Sequence, residues 1–384
     1  MFSSLARVIH SAPASSSPSS RYPLSTGIPP LHPLDQVQCY LMDSRLSRRD
    51  FLRLSGLTTL GAALKPPPPQ DLAHPAGLGR VTTSWIGIYN EPSFKAKQLL
   101  KLTRDQLVTL LSSETADDGP KHNPLWYRVS DGYAHSGYLQ LVRWQPQRPV
   151  LNLPPEGSVF EVSVPFTRSY RKPDSTSDPL YRLYYQSTAW VEACVVGVDG
   201  REWYRLVDDL LKLRYHVRAE HMRWIEPSEL APISPEIPLA SKRIEVSIAR
   251  QELRAYEEDR LVLRTRISSG IPDDQPGENG VPTATPRGRF YIDKKMPLRH
   301  MGDGHVTADL EAYELPGVPW VSFFHFTGVA FHGTYWHTDF GRPKSHGCIN
   351  MRTEEAKWLY RWTLPEPLPA ERLRIGRGTT VVVT

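Results

Sequence analysis

Apolar residues recur with a period of two along most of this chain. Ile244, Val246 and Ile248 alternate with Glu245 and Ser247, Leu261 to Ile267 mixes apolar and charged positions, and Thr379 to Thr384 carries Val381, Val382 and Val383. Each run predicts a strand, the last a buried one. A helical period predicts one helix over 353–362. There Ala356, Leu359 and Tyr360 share a face, Thr353 stands as N-cap, and Glu354 and Glu355 suit the positive helix end. Gln98 to Leu111 fits either type, because Leu99, Leu102, Leu107, Leu110 and Leu111 are partly helix-spaced.

The middle of the chain contains an internal repeat. Trp126-Tyr127-Arg128-Val129 recurs as Trp203-Tyr204-Arg205-Leu206, each Trp is followed by a Tyr (Tyr138, Tyr215), and each unit closes on an Arg-Trp pair (Arg143-Trp144, Arg223-Trp224). The units span 81–150 and 156–230, separated by the proline-rich stretch from Pro146 to Pro155. Aromatic and β-branched residues between turn residues make each a small all-β unit. Glu91-Pro92-Ser93, the run Leu99 to Ser113 and the run Trp126 to Val142 resemble bacterial SH3-like repeats, which favours strands over 98–111. In that family such barrels bind cell-wall material or dock a neighbouring domain; plain packing and spacing is the alternative. Cys194, inside the apolar run Trp190 to Val196, reads as a small core residue. A second proline-rich linker, 226–240, precedes a mainly β domain over 241–384, long enough for its own core.

Residues 1–80 read differently. Residues 1–41 are rich in Ser and Pro without periodicity, and Met42 offers an alternative start. Ser47-Arg48-Arg49-Asp50-Phe51-Leu52 followed by the apolar run Leu54 to Leu64 resembles a twin-arginine export signal over about 47–64, with Lys65 to Pro69 as a stiff spacer. The resemblance implies an exported protein of the extracytoplasmic cell envelope, tethered to the membrane if the signal stays uncleaved. A short surface helix with two arginines is the alternative.

Composition narrows the function classes. Proline makes up 36 of 384 residues, about twice the usual ~5%, which suits short strands and turns over a helical bundle. The formal net charge is only +5 and no Lys/Arg run stands out, which argues against nucleic-acid binding and suits work beside an anionic envelope. No run of about 18 apolar residues is present, which excludes a polytopic membrane protein. Three cysteines, Cys39, Cys194 and Cys348, form no disulfide framework but leave room for one reactive thiol.

Histidines concentrate where the third cysteine lies: His300, His305, His325, His332, His337 and His346, with Cys348 two residues further on. One reading is a zinc site using His332, His337, His346 and Cys348, although the spacing matches no paired-ligand motif. The other is a thiol nucleophile with a histidine base, which needs an orienting group for the base and glycines that let backbone N–H groups reach an oxyanion. His332-Gly333-Thr334 and Ser345-His346-Gly347-Cys348-Ile349-Asn350 supply these parts.

His-Gly, a short loop and Ser-His-Gly-Cys-Ile-Asn resemble the active-site motif of the L,D-transpeptidase catalytic domain. Ile244 to Gln251, Ser269-Gly270 and Thr285-Pro286-Arg287-Gly288-Arg289-Phe290 agree with that domain's first strand and its following loop. The resemblance covers essentially all of 241–384. It implies Cys348 as nucleophile, His332 as general base, the Gly333 carbonyl as its orienting group and His346 as a residue lining the site. The N–H groups of Gly347 and Cys348 would form the oxyanion hole, and Ser345 and Asn350 would brace the loop. Residues 295–331 would form a cap over the cleft. Tyr313, Trp320 and Trp336 would contact the peptide stem, and Arg352 would meet a substrate carboxylate, with a surface cation before the helix as its alternative.

The chain is therefore expected to be mainly β: an L,D-transpeptidase-type β-sandwich with a few short helices, preceded by two small SH3-like β-barrels. The expected activity is acyl transfer from a peptidoglycan stem tetrapeptide through Cys348, releasing D-alanine and forming 3→3 crosslinks, with no metal or other cofactor. The partners are stem peptides, and cell-wall material bound through the repeats. The alternatives are a hydrolytic variant, acting as carboxypeptidase or crosslink hydrolase, and a non-catalytic wall-binding protein.

Overall fold

The computed structural model describes residues 77–272, 283–307 and 314–384, and these form one compact unit. The expected export signal, Cys39, Met42 and Tyr313 lie outside the described residues.

The first module contains β1 (Gly77–Val81), β2 (Trp85–Tyr89), β3 (Gln98–Thr103), β4 (Leu107–Leu110), β5 (Ser112–Thr115), β6 (Leu125–Val129), β7 (Gly132–His135) and β8 (Leu139–Val142). Its sheets run β4-β1-β8 and β3-β2-β7-β6-β5. Gln98 to Leu111 is strand, with β3 paired antiparallel to β2. The first module reaches back before residue 81, because Leu78 and Arg80 of β1 pair with Val142 and Gln140 on β8.

The second module contains β9 (Ser158–Val162), β10 (Phe166–Tyr170), β11 (Pro179–Tyr184), β12 (Thr188–Val196), β13 (Glu202–Val207), β14 (Arg214–Arg218) and β15 (Met222–Trp224). They form one sheet, β11-β10-β14-β13-β12-β9-β15. The order is that of the first module once β4 and β5 count as one strand broken at Leu111. Trp126 and Trp203 take matching places on β6 and β13. The later marks of the sequence repeat do not correspond. Arg128 pairs with Tyr133 whereas Arg205 pairs with His216, so Tyr215 lies on a strand while Tyr138 lies in the turn beyond one. Val81 pairs with Leu139 and Val162 with Met222, which leaves Arg143-Trp144 beyond its strand and Arg223-Trp224 within it. The longer loop between β13 and β14 causes the slip.

The third region contains β16 (Lys242–Ser247), β17 (Glu252–Glu257), β18 (Arg260–Arg266), β19 (Gly288–Tyr291), β20 (Lys294–Gly302), β21 (Glu314–Phe323), β22 (Ala330–Gly333), β23 (Ile349–Met351), α1 (Thr353–Trp362), β24 (Arg374–Ile375) and β25 (Thr380–Val383). Two five-stranded sheets, β18-β17-β16-β25-β19 and β23-β22-β21-β20-β24, share one core. Ile244, Val246, Leu253, Val381 and Val383 from the first meet Trp320, Phe331, Ile349 and Met351 from the second, with Ala356, Leu359 and Trp362 of α1. β25 is central, lying parallel to β16 and antiparallel to β19. The alternation seen in the sequence is thus one face of each strand turned into this core.

Helix α1 spans the expected residues, but its N-cap lies one residue earlier than the expected Thr353. Arg352 is the N-cap and makes no side-chain cap bond, while Thr353 is the first helical residue. Thr353 is buried under Gly333, where a side chain on the glycine would come within 3.1 Å of the Thr353 Cα. At the other end, two buried lysines take the carbonyls a helix leaves unpaired. Lys295 Nζ donates to Tyr360, Thr363 (2.7 Å) and Pro365 (2.9 Å), and Lys242 Nζ donates to Trp362 (3.0 Å). Burial holds the Lys295 ammonium well below the usual lysine value.

The expected linker 226–240 is a packed connection. Glu226 and Glu229 form a capping box around the turn Pro227–Leu230, and Leu230 is buried. Glu229 pairs with Arg223 of β15 and Lys357 of α1. Val159, Trp190, Val207 and Ile225 of the second module join the core of the third region itself. Buried apolar area is what holds the two together.

Polar contacts tie the first module in as well. Arg80, 2% exposed, donates to Asp105 Oδ1 at 2.8 Å, to Gln140 Oε1 at 2.8 Å and to the Tyr335 carbonyl at 2.7 Å. Asp105 also pairs with Arg182 of the second module. We expect Arg80→Met to lower the unfolding free energy by about 3 kcal/mol, the low end for removing one partner from a buried ionic network, because Asp105 keeps Arg182. Urea titration checks this, and an unchanged midpoint would show that the network holds nothing.

A second junction titrates. Buried His300 on β20 lies between Asp208 of the second module (Nδ1 to Oδ2, 2.6 Å) and Glu314 (Nε2 to Oε2, 2.7 Å). Burial alone pulls the imidazole down, but the two carboxylates outweigh it and hold it above the usual value. A raised folded-state value stabilises fully below the unfolded one, near 6.5, and the contribution is lost as pH rises through the folded value. Stability should therefore fall as pH climbs from slightly acid into the alkaline range, and His300→Gln should flatten that slope; parallel slopes in the two proteins would refute this.

Candidate active site

The site is built where two short strands run side by side. β22 and β23 are parallel, with Phe331 opposite Ile349 and His332 opposite Asn350. Cys348 precedes β23 by one residue and so falls level with Ala330. Because side chains two apart share a sheet face, Ala330, His332, Cys348 and Asn350 lie on one face.

His332 is 2% exposed. Its Nδ1–H donates to the Gly333 carbonyl at 3.0 Å, which leaves Nε2 as the basic nitrogen. Burial lowers this imidazole to about 4, with the Gly333 bond opposing, so the ring is neutral at ordinary pH. Cys348 is partly open to solvent, and Val318, Val321, Phe323, Ala330 and Trp336 crowd it on the protein side. Its thiol points at the Gly328 carbonyl, 3.9 Å away. Burial pushes this thiol up to about 11, only partly offset by a bond to the Ala330 backbone. The resting pair is therefore neutral thiol and neutral imidazole, and a base that acts during attack is the chemistry it allows.

The loop carrying the cysteine is braced from three sides. Ser345 Oγ donates to the Cys348 carbonyl and closes the turn. Thr285 Oγ1 donates to the Gly347 carbonyl at 2.7 Å and accepts from the Gly270 N–H at 2.8 Å. Gly347 has φ +114, and a side chain on Gly270 would come within 2.8 Å of the Gly347 nitrogen. Both positions thus require glycine. Behind them, Gln251 holds Ser269, accepting from its N–H at 2.9 Å and donating to its Oγ at 2.7 Å.

Asn350 is buried and donates through Nδ2 to His337 Nε2 at 2.9 Å. Burial lowers His337 to about 3, so it too is neutral. His337 was visible in the sequence as one member of the histidine cluster, and its partnership with Asn350 was not. Among the described residues no group of three His, Cys, Asp or Glu side chains is arranged to hold a metal ion.

The other candidates separate. His346 is exposed on the loop next to Gly347. Trp336 stands beside the base, its ring 5.7 Å from that of His332. Arg352 is exposed at the start of α1, 3.5 Å from Glu355 and over the Phe340 ring. Trp320 is not a substrate contact. It is 1% exposed in the core, 5.7 Å from the Tyr360 ring of α1, on a backbone with φ of 61. The expected cap over 295–331 is, among the described residues, largely the β20–β21 hairpin of the sheet. Phe323 and Phe324 are buried, and Phe326, 90% exposed, stands at the next turn.

The first module shapes the loop between His332 and Cys348, which the sequence did not show. Arg80 holds the Tyr335 carbonyl. Thr338 Oγ1 donates to the carbonyls of Ser136 (2.7 Å) and Leu139 (3.0 Å). Buried Asp339 pairs with His122 at 2.9 Å and with Arg342 at 2.6 Å.

Comparison with known proteins points the same way. The protein YciB of Bacillus subtilis (strain 168), named provisionally as an L,D-transpeptidase, is 27% identical over 153 residues, covering 37% of this chain and 70% of that protein. A solved Enterococcus faecium L,D-transpeptidase, a cysteine-to-serine mutant, is 26% identical over 38% of this chain and 50% of that one, with a TM-score of 0.28. A Xylanimonas cellulosilytica L,D-transpeptidase is 24% identical over 38% of this chain and 60% of that one, also with a TM-score of 0.28. The chain thus spans about half the length of the Enterococcus structure. The match to a family model is confined to the region that holds Cys348 and His332: residues 241–383 match the YkuD family, described as the L,D-transpeptidase catalytic domain.

Proposed function

We propose that this chain is a peptidoglycan L,D-transpeptidase with Cys348 as its nucleophile. The observation that carries the reading is the orientation of His332, whose Nδ1–H is tied to Gly333 so that Nε2 is free to take a proton on the face shared with Cys348. As the third stem residue's carbonyl arrives, the Cys348 proton passes to His332 Nε2 and Sγ bonds to the carbonyl carbon. The N–H groups of Gly347 and Cys348 receive the oxyanion. The intermediate collapses to a thioester as the C–N bond breaks, and D-alanine leaves with the proton from His332. An amine of a second stem then attacks the thioester and gives its proton to His332, restoring the thiol and leaving a 3→3 crosslink.

The two N-terminal modules fit the SH3-like reading through their common strand order. Exposed Trp85, Phe94 and Trp144 give the first one aromatic surface for wall material. Such a substrate lies outside the cytoplasm, which agrees with the export signal read at 47–64.

Two measurements test the mechanism. Intact-protein mass spectrometry of the full chain with a disaccharide tetrapeptide should show an adduct equal to substrate minus D-alanine, absent in Cys348→Ala. His332→Ala should slow adduct formation by about 10²-fold or more. Full acylation of Cys348→Ala would refute the assignment. In the free enzyme, iodoacetamide alkylation of Cys348 should be slow at neutral pH and rise toward pH 11, as expected of a thiol pushed up to about 11. Rapid alkylation at neutral pH would instead mean a standing thiolate.

A further inference from the structure

A cleft of about 430 Å³ separates the second module from the catalytic domain, and both build it. Trp190, Val207 and Lys212 come from the module, while Lys294, Met296 and Phe323 come from the catalytic sheet. Gly328, on an exposed turn, also lines it, and its carbonyl faces the Cys348 sulfur at 3.9 Å. Met296 packs, as Cys348 does, against the apolar cluster that includes Phe323. The cleft therefore leads to the nucleophile.

Its charge is one-sided. Lys212, Lys294, Arg299 and Arg372 line it against a single acid, Asp209. Arg299 is neutralised by Asp209 at 2.8 Å, and Arg372 pairs with Glu192 at 3.4 Å. Lys212 donates to the Asp209 backbone carbonyl at 2.6 Å, and Lys294 lies over the Phe323 ring at 4.3 Å. Among the described residues neither lysine has a carboxylate partner, so one uncompensated ammonium stands on each wall above an apolar floor. A pocket with an apolar lining and a few placed charges selects a ligand with complementary ones, and charge-assisted bonds to carboxylates are the strong polar contacts it can make.

We infer that this cleft binds a carboxylate-bearing peptide, the acyl donor's own stem, with its carboxylates between Lys212 and Lys294 and its reacting carbonyl delivered past Gly328 to Cys348. The stem identity rests on the transpeptidase reading; the cleft's preference for an acidic peptide does not. The second module thus forms one wall of the donor site and acts as a specificity element.

The test separates the two. The full chain carrying Cys348→Ala, which cannot react, is titrated with the disaccharide tetrapeptide and with the same compound amidated at its carboxylates. Lys212→Glu and Lys294→Glu, each added to that background, should weaken binding of the acidic peptide about 5- to 10-fold and change binding of the amidated one less than twofold. Lys172→Glu, an equal charge change at an exposed position after β10 and outside the cleft lining, should match the parent. Thermal melting of each variant guards against misfolding. Acidic-peptide binding within twofold of the parent in folded Lys212→Glu and Lys294→Glu proteins would overturn the cleft assignment, as would equal losses for both peptides. With Cys348 restored, absence of a thioester would count against the transpeptidase reading alone, because cleft binding is measured without chemistry.

Discussion

The guanidinium of Arg80 is almost wholly removed from solvent, and the groups it touches come from separate parts of the chain. Asp105 and Gln140 belong to its own module, the Tyr184 ring beneath it at 4.0 Å belongs to the second, and the Tyr335 carbonyl belongs to the catalytic loop. A buried cation tolerates no loose partner, because each unsatisfied group would cost its full desolvation energy. Asp105 reaches on to Arg182, and Gln140 Nε2 to the Tyr185 carbonyl at 3.0 Å. The rest of the first module's grip on the catalytic domain, through Thr338 and the His122–Asp339 pair, depends on that register. The three modules consequently behave as one body, although the proline-rich stretches between them suggest beads on a string.

This arrangement gives the N-terminal half a direct bearing on catalysis. The first module bounds the chain between His332 and Cys348, and the second forms part of a cleft that Gly328 also lines. His332 is buried and Cys348 only partly open to solvent, and burial leaves both neutral at rest. Such a site keeps the thiol quiet until a carbonyl is in place, and it gains from fixed dipoles that need no reorganisation. The close approach of Gly270 to Gly347, locked by Thr285, is the local device that holds the loop in that pose.

Much of this was legible in the sequence for identifiable reasons. The alternation at Ile244, Val246 and Ile248 and the run of valines at 381–383 marked real strands because burial on one face leaves a period that no other structure shares. Cys348, His332 and Gly333 stood out because thiol chemistry needs those types at short range. Trp320 was misread because an aromatic near a motif looks the same whether it faces a ligand or a helix; only its packing beside Tyr360 tells the two apart. The register of the internal repeat slipped because the loop between β13 and β14 adds length that the matching residues do not reveal.

By itself, then, the sequence determined the strand-rich class, the helix after the Cys348 loop and the presence of a cysteine and a histidine of suitable type in one short stretch, all of them set by local pattern and by neighbours along the chain. Tertiary structure alone decided that Asn350 meets His337, that Arg80 reaches Tyr335 from 255 positions away, and that two lysines from different modules face one cleft. Contacts of that kind arise from chain closure over long separations, and no local spacing encodes them.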